Sequence, residues 1–127
     1  MSISVGCVGC GNMGGAILAG LARHEGYDLC GYNRTREKLR PLETLGVRAL
    51  PDARAVAAAA DVVVLAVKPY QTAAVLEELR PALNPHKVLV SVAAGVNMGR
   101  LTAAVEGRCP VVRCMPNTPA LVGKGVF

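Results

Sequence analysis

A chain of 127 residues that is 52% hydrophobic has length for one domain with a real core and none to spare for a second. Aromatic residues are only 3% of it, with no Trp, so Ala, Val and Leu must build that core. The net charge of +5 comes without the aromatic platforms that stack nucleic-acid bases. The longest apolar stretch, residues 56–67, is broken by Asp61 and stopped by Lys68 and Pro69, which speaks against a membrane span.

Residues 3–8 read as a first buried strand. Residues 12–22 read as a helix with Ile17, Leu18 and Leu21 at helical spacing, closed by Gly26. A short second strand over 29–32 precedes a charged helix over 35–45, with Leu39 and Leu42 on one face and Asn33 or Thr35 as its N-cap. A weak third strand over 47–50 leads through an Asp52 N-cap to an Ala-rich helix over 53–60. The run DVVVLAV over 61–67 is the clearest strand, because an unbroken β-branched stretch indicates burial on both faces; Pro69 ends it. A helix over 72–83, a strand over 88–92, a helix over 98–105 and a strand over 111–115 complete the alternation. This order predicts right-handed crossovers and an α/β fold: a doubly wound parallel sheet in three layers, α/β/α, with residues 1–127 as one unit.

Five cysteines is an odd number, and Cys7, Cys30 and Cys114 fall in predicted strands, so the thiols are expected to be reduced and buried. Cys7 and Cys10 form a C-x-x-C. With no second pair or His at ligand spacing, it reads as a core thiol and a loop thiol, not a redox or zinc pair, and no metal is expected. No basic stretch precedes the first apolar run, so no signal peptide is expected and the location implied is the cytoplasm.

Gly9, Gly11 and Gly14 match G-x-G-x-x-G between a predicted strand and a predicted helix, the context that a dinucleotide fingerprint requires. Gly9 serves the tight turn, Gly11 lets the backbone approach a pyrophosphate, and Gly14 lets helix pack on strand. The amides of Asn12 and Met13 would face the phosphate charge. The end of the second strand usually carries an acid for the ribose 2′-hydroxyl of NAD. This chain has Asn33, Arg34 and Thr35, with Lys38 a helical turn on and Asp28 at the other end of the strand. That arrangement favours a 2′-phosphate, hence NADP(H), while leaving NAD(H) possible.

Three further segments fall at the carboxyl edge of the sheet, where this architecture binds ligands: residues 66–69, 92–95 and 115–119. The set GCGNMGGAI, DVVVLAVKPYQ, VLVSVAAGV and VVRCMPNTPALVGKGV, in that order, resembles the N-terminal domain of the pyrroline-5-carboxylate reductase family, and spans the chain almost end to end. The resemblance implies hydride transfer from NAD(P)H to the C=N carbon of 1-pyrroline-5-carboxylate, giving proline. It places cofactor contacts on Val8, Gly9, Cys10, Gly11, Asn12 and Met13, on Asn33, on Ala66, Val67, Lys68 and Pro69, and on Val92, Ala93 and Ala94. Met115, Asn117 and Thr118 form a candidate nicotinamide or substrate rim. Relatives often carry a polar residue just after the third strand, where this chain has Ala53.

That chemistry asks little of acid–base side chains, and the chain offers no triad and no paired carboxylates. No catalytic acid or base is assigned. His24 and His86 read as surface residues, and Lys68 as a cofactor-lining residue. Family members continue into a helical domain that forms the dimer and closes the pocket for the small imine substrate. Its absence from these 127 residues implies a cofactor-binding half, whether from a shortened chain or an incomplete gene, with homo-oligomerisation left to the missing part. A β-hydroxyacid dehydrogenase shares the glycine loop and Asn-Arg-Thr, but usually has an Asp-x-Ser-type loop where this chain has residues 91–95. A non-catalytic, competence-related NADP-binding protein would share fold and site alike.

Overall fold

The structure, a computed structural model, describes residues 3–92 and 98–114. Six parallel strands form one sheet in the order β3-β2-β1-β4-β5-β6. They are β1 (Ile3–Val8), β2 (Tyr27–Tyr32), β3 (Arg48–Ala49), β4 (Val62–Leu65), β5 (Val88–Ser91) and β6 (Val111–Arg113). The helices are α1 (Asn12–Leu21), α2 (Arg40–Glu43), α3 (Ala53–Ala59), α4 (Thr72–Leu79) and α5 (Met98–Val105). The doubly wound parallel sheet expected from the sequence is therefore present. Its strand order reverses between β1 and β4, which defines the switch point of the fold.

Two apolar clusters lie on the two faces of the sheet. Leu18, Leu39, Leu42 and Val47 bring α1 and α2 onto one face, against Val5, Cys7 and Val64. Val56, Ala57, Leu76, Leu79, Leu101 and Val105 bring α3, α4 and α5 onto the other, against Val8, Val63, Leu65 and Leu89. Small residues allow close approach: a Cβ on Gly6 would lie 2.5 Å from Val56 Cγ1 and 2.9 Å from Ala60 Cβ, so α3 packs straight onto β1. On the α1/α2 face, Val88 and Val90 of β5 remain half-buried and Val112 of β6 is 45% exposed.

Several boundaries differ from the sequence expectation for identifiable reasons. The charged segment over 35–45 is not one helix: a 3-10 turn over Arg36–Leu39 precedes the single turn of α2, with Pro41 in its first turn. Thr35 makes no side-chain cap; instead Asn33 Nδ2 donates to Thr35 O at 3.0 Å. Pro81 similarly confines α4 to Thr72–Leu79, with a 3-10 turn over Arg80–Ala82 behind it. Gly26 (φ +94°) does not close α1, which ends at Leu21; it turns the chain into β2, which starts two residues earlier than expected. Asp28 thus lies inside β2, opposite Ser4 at the amino end, where it pairs with Arg48 at 3.4 Å. The Asp52 cap is as expected, its Oδ1 accepting from Ala55 N at 2.7 Å. Among the described residues one charged side chain is buried: Lys87 Nζ donates to Ala60 O at 2.8 Å and to Ala58 O at 3.4 Å, closing the carbonyl end of α3. No helix among the described residues is long and apolar enough to cross a membrane.

Candidate functional site

The turn after β1 is fixed from beneath. The amides of Gly9 and Cys10 both donate to Tyr32 O, at 2.9 and 3.3 Å, which ties the glycine loop to the end of β2. Gly9 has φ +90°, and a Cβ there would stand 2.8 Å from the Ala66 carbonyl carbon, so the loops after β1 and β4 touch at this point. A Cβ on Gly14 would collide with Gly9 O and sit 2.8 Å from Cys7 Sγ. Gly9 and Gly14 are thus demanded by the chain itself.

Gly11 is different. Its φ of −79° is not in the left-handed region, and a Cβ built on it meets nothing within 4 Å among the described residues. No described residue fills the space there. Gly11 also precedes α1 as an N-cap without a side chain, and the first turn of α1 holds no acidic residue. The first-turn amides have no intrahelical acceptor, so the positive end of α1 faces outward without a protein counter-charge. Open space beside bare amides at the switch point fits a pyrophosphate.

The proposed cofactor residues divide into three groups. Val8 and Val92 have buried side chains, and the amides of Ala66 and Val92 are engaged with Val8 O at 2.9 Å and Leu65 O at 3.0 Å. These residues shape the edge, and with their amides engaged could touch a ligand only through remaining surface. Cys10 is likewise buried, although it lies in the turn as expected: its Sγ donates to Cys7 O at 3.4 Å, and its amide donates to Tyr32 O. The third group faces outward. Arg34 and Thr35 are exposed just past β2, and Arg34 has no ion pair among the described residues. A groove of about 470 Å³ is lined by Gly11, Gly15, Lys38 and Leu42, among others, so Lys38 and the glycine loop share one surface. Lys68 is exposed; its amide donates to Gln71 Oε1 at 3.2 Å, and its carbonyl accepts from Gln71 N and Thr72 Oγ1. Its backbone is held in a local turn while its ammonium reaches solvent. Ala53 is buried, so the position after β3 offers no polar contact. Met13 is half-buried against the α1-face core.

Ala93, Ala94, Met115, Asn117 and Thr118 lie outside the described residues. His24 and His86 are exposed, as expected. No group of three His, Cys, Asp or Glu among the described residues could hold a metal. Sequence reasoning missed two features. The Tyr32 carbonyl anchors the glycine loop through main-chain bonds that no residue type announces. Ser91 Oγ, at the carboxyl end of β5, is fully buried with no hydrogen-bond partner among the described residues.

The thiols shift with their surroundings. The neighbouring Cys10 thiol, with burial, pushes Cys7 well up, and the Cys7 thiol in turn draws Cys10 down against its own burial. Burial pushes Cys30 up to about 11 and also raises Cys109.

Residues 4–95 match a protein-family model described as "NADP oxidoreductase coenzyme F420-dependent". Among curated proteins, the pyrroline-5-carboxylate reductase of Escherichia coli (strain K12) is 40% identical over 131 aligned positions, covering 99% of this chain and 48% of that protein. A solved pyrroline-5-carboxylate reductase from Coxiella burnetii superimposes with a TM-score of 0.90 at 36% identity, over 98% of this chain and 48% of that one. A Plasmodium falciparum pyrroline carboxylate reductase with NADP bound gives 0.83 at 32%, over 97% and 45%. The chain spans about half the length of the curated relatives it matches.

Proposed function

The chain belongs to the NADP oxidoreductase family just described, and from that premise we propose that it is the dinucleotide-binding half of a pyrroline-5-carboxylate reductase. The observation that carries this reading is Gly11: space that no described residue fills, over a glycine at a bare helix end on the switch point of the sheet. In this reading the first-turn amides from Gly11 to Met13 hold the pyrophosphate. Asn33, Arg34, Thr35 and Lys38 hold the adenosine 2′-phosphate and so favour NADP(H) over NAD(H). Residues 66–69 and 92–94 wall the crevice, and Met115, Asn117 and Thr118 form the rim on the substrate side.

A reduced nicotinamide held by these residues would supply the hydride for the conversion of 1-pyrroline-5-carboxylate to proline. The residues of this chain contribute placement. They orient the dinucleotide along the sheet edge and provide one apolar wall, with no side chain assigned to move a proton. The second wall, the partner for the substrate carboxylate and the homo-oligomer contacts belong to a further helical domain. Titration of the purified chain with NADPH and NADH tests the proposal: saturable binding with tighter NADPH is expected, and absence of binding to both would sink it. A preference for NADH would remove Arg34 from the phosphate while keeping the dinucleotide site.

A further inference from the structure

We infer that Cys7 and Cys10 are an oxidisable pair: a hydroperoxide closes them into a disulfide across the glycine turn, and that closure weakens dinucleotide binding. The inference rests on the reading of the loop as a dinucleotide site. Both sulfurs lie on the α1 side of the sheet. A Cβ on Gly14 would meet Cys7 Sγ at 2.8 Å, and one on Gly31 would meet Cys10 Sγ at 2.6 Å, so each sulfur occupies room that a glycine leaves open. Cys10 Sγ reaches back over the turn and donates to Cys7 O at 3.4 Å, and both residues belong to the same buried cluster on that side of the sheet. The C-x-x-C therefore holds its two sulfurs on one side of the turn, in one packed space.

The two thiols are not equivalent. Cys7 is fully buried inside β1, paired opposite Gly31 of β2 and Val64 of β4. Cys10 is itself buried, but it lies just before the uncapped start of α1 among the residues that line the groove with Gly11 and Lys38, whereas Cys7 is sealed inside β1, so when the turn opens Cys10 is the sulfur a small oxidant meets first. Its lowered pKa agrees with that role. Cys10 thiolate attacks the terminal oxygen of the hydroperoxide; the O–O bond breaks, the alcohol (water, for hydrogen peroxide) leaves with the thiol proton, and Cys10 becomes a sulfenic acid. Cys7 sulfur then attacks Cys10 Sγ; the S–S bond forms, the S–O bond breaks, and water leaves with the Cys7 proton. Two thiols lose two electrons in all, and the hydroperoxide gains them.

A disulfide holds its sulfurs about 2.05 Å apart, well inside the van der Waals contact of two free thiols. Cys7 is clamped between two strands, so the turn has to move. The weaker of the two anchors on Tyr32 O is the 3.3 Å bond from Cys10 itself, and Gly11 and the first turn of α1 follow it directly. Amides displaced by about 1 Å no longer converge on one phosphate. In the other direction, a dinucleotide over Gly11 shields Cys10.

The test uses the intact chain. Residues 1–23 form one tryptic peptide that holds Cys7 and Cys10 and no other cysteine. After hydrogen peroxide and alkylation, this peptide is expected to be lighter by two hydrogens and free of alkyl groups. Dithiothreitol should reverse the change, and bound NADPH should slow it. The oxidised chain should bind NADPH about tenfold or more weakly, with recovery on reduction. Cys7→Ser should bind NADPH like the reduced chain and never give the lighter peptide. A peptide that keeps both alkylation sites, or one that takes up oxygen without losing hydrogens, overturns the pair. So does a disulfide that leaves NADPH affinity unchanged. If the reduced chain binds no NADPH, the dinucleotide reading and the switch fall together, and the peptide mass alone decides whether the sulfurs join.

Discussion

Gly11→Val separates the site from the fold. A valine there enters open space at a negative φ, with no atom within 4 Å of its Cβ, so the native packing is untouched and unfolding free energy should change by less than about 1 kcal/mol. The same branched side chain would occupy the space of the pyrophosphate. Losing two charge-assisted amide bonds at about 1.5–3 kcal/mol each amounts to roughly 3–6 kcal/mol, which takes a micromolar NADPH complex beyond the reach of ordinary titration. Gly14→Ala is the counter-experiment: its Cβ meets Gly9 O and Cys7 Sγ, both inside the packed turn, so stability should fall by about 1–3 kcal/mol or more. Urea unfolding gives the stabilities, and fluorescence titration of NADPH and NADH gives the affinities. A folded Gly11→Val chain that binds NADPH within about threefold of the parent would refute the reasoning, because the loop would then be only a turn.

Arg34→Ala should weaken NADPH by about 1.5–3 kcal/mol and leave NADH nearly unchanged, since the exposed guanidinium has no protein partner among the described residues; parallel losses for both cofactors would contradict this. Lys87→Met should cost about 1–3 kcal/mol in urea unfolding, because Ala60 O loses its 2.8 Å donor and the carbonyl end of α3 its buried cation, and an unchanged midpoint would show that the helix end needs neither. Cys30 holds its proton up to about pH 11 in the fold against about 9 when unfolded, so its contribution is intact below pH 9 and is lost between pH 9 and 11. Cys30→Ala should remove about 2 kcal/mol of the alkaline decline in stability, and an equal decline in both chains would place its cause elsewhere. The 127-residue chain should bind NADPH yet reduce 1-pyrroline-5-carboxylate at least ~100-fold more slowly than a version extended through a helical domain. Comparable turnover from the short chain would move the catalytic groups onto Lys68, Asn117 or Thr118.

Local pattern carried most of the fold. The β-branched run over 61–67 announces β4, although the described strand is only Val62–Leu65. The misread helix over 35–45 had its signal in plain view, since Pro41 can sit in a first turn but cannot continue a helix, and Pro81 carries the same message for α4. Lys87 was not legible, because the carbonyls it serves lie 27 and 29 residues away and only the pairing of β4 with β5, Val62 opposite Val88, brings them together. The burial of Cys10 was not legible for a similar reason. Whether a loop thiol turns inward depends on room across the sheet, and that room comes from Gly31, which register alone places opposite Cys7.

At the site, residue types announced the chemistry but not the division of labour. Three glycines in a fingerprint look equivalent in sequence, yet two answer to the chain's own packing and only Gly11 faces space that no described residue fills. The amides divide the same way: those of Gly9 and Cys10 are held by Tyr32 O, which leaves recognition to the helix start that follows. Around it, residues 9–13, 33–35 and 66–68 contain no carboxylate, while Asp28 is turned to the far end of β2 and neutralised by Arg48. A bare helix end beside Arg34 and Lys38, with no acid among those three segments, is an electrostatic arrangement that an anion completes. It follows that the positive character of this edge does not come from the net charge of the chain, which is spread over fourteen Lys and Arg. It comes from where the fold withholds its acids, and for that reason Arg34 rather than the bulk charge should decide between the two nicotinamide cofactors.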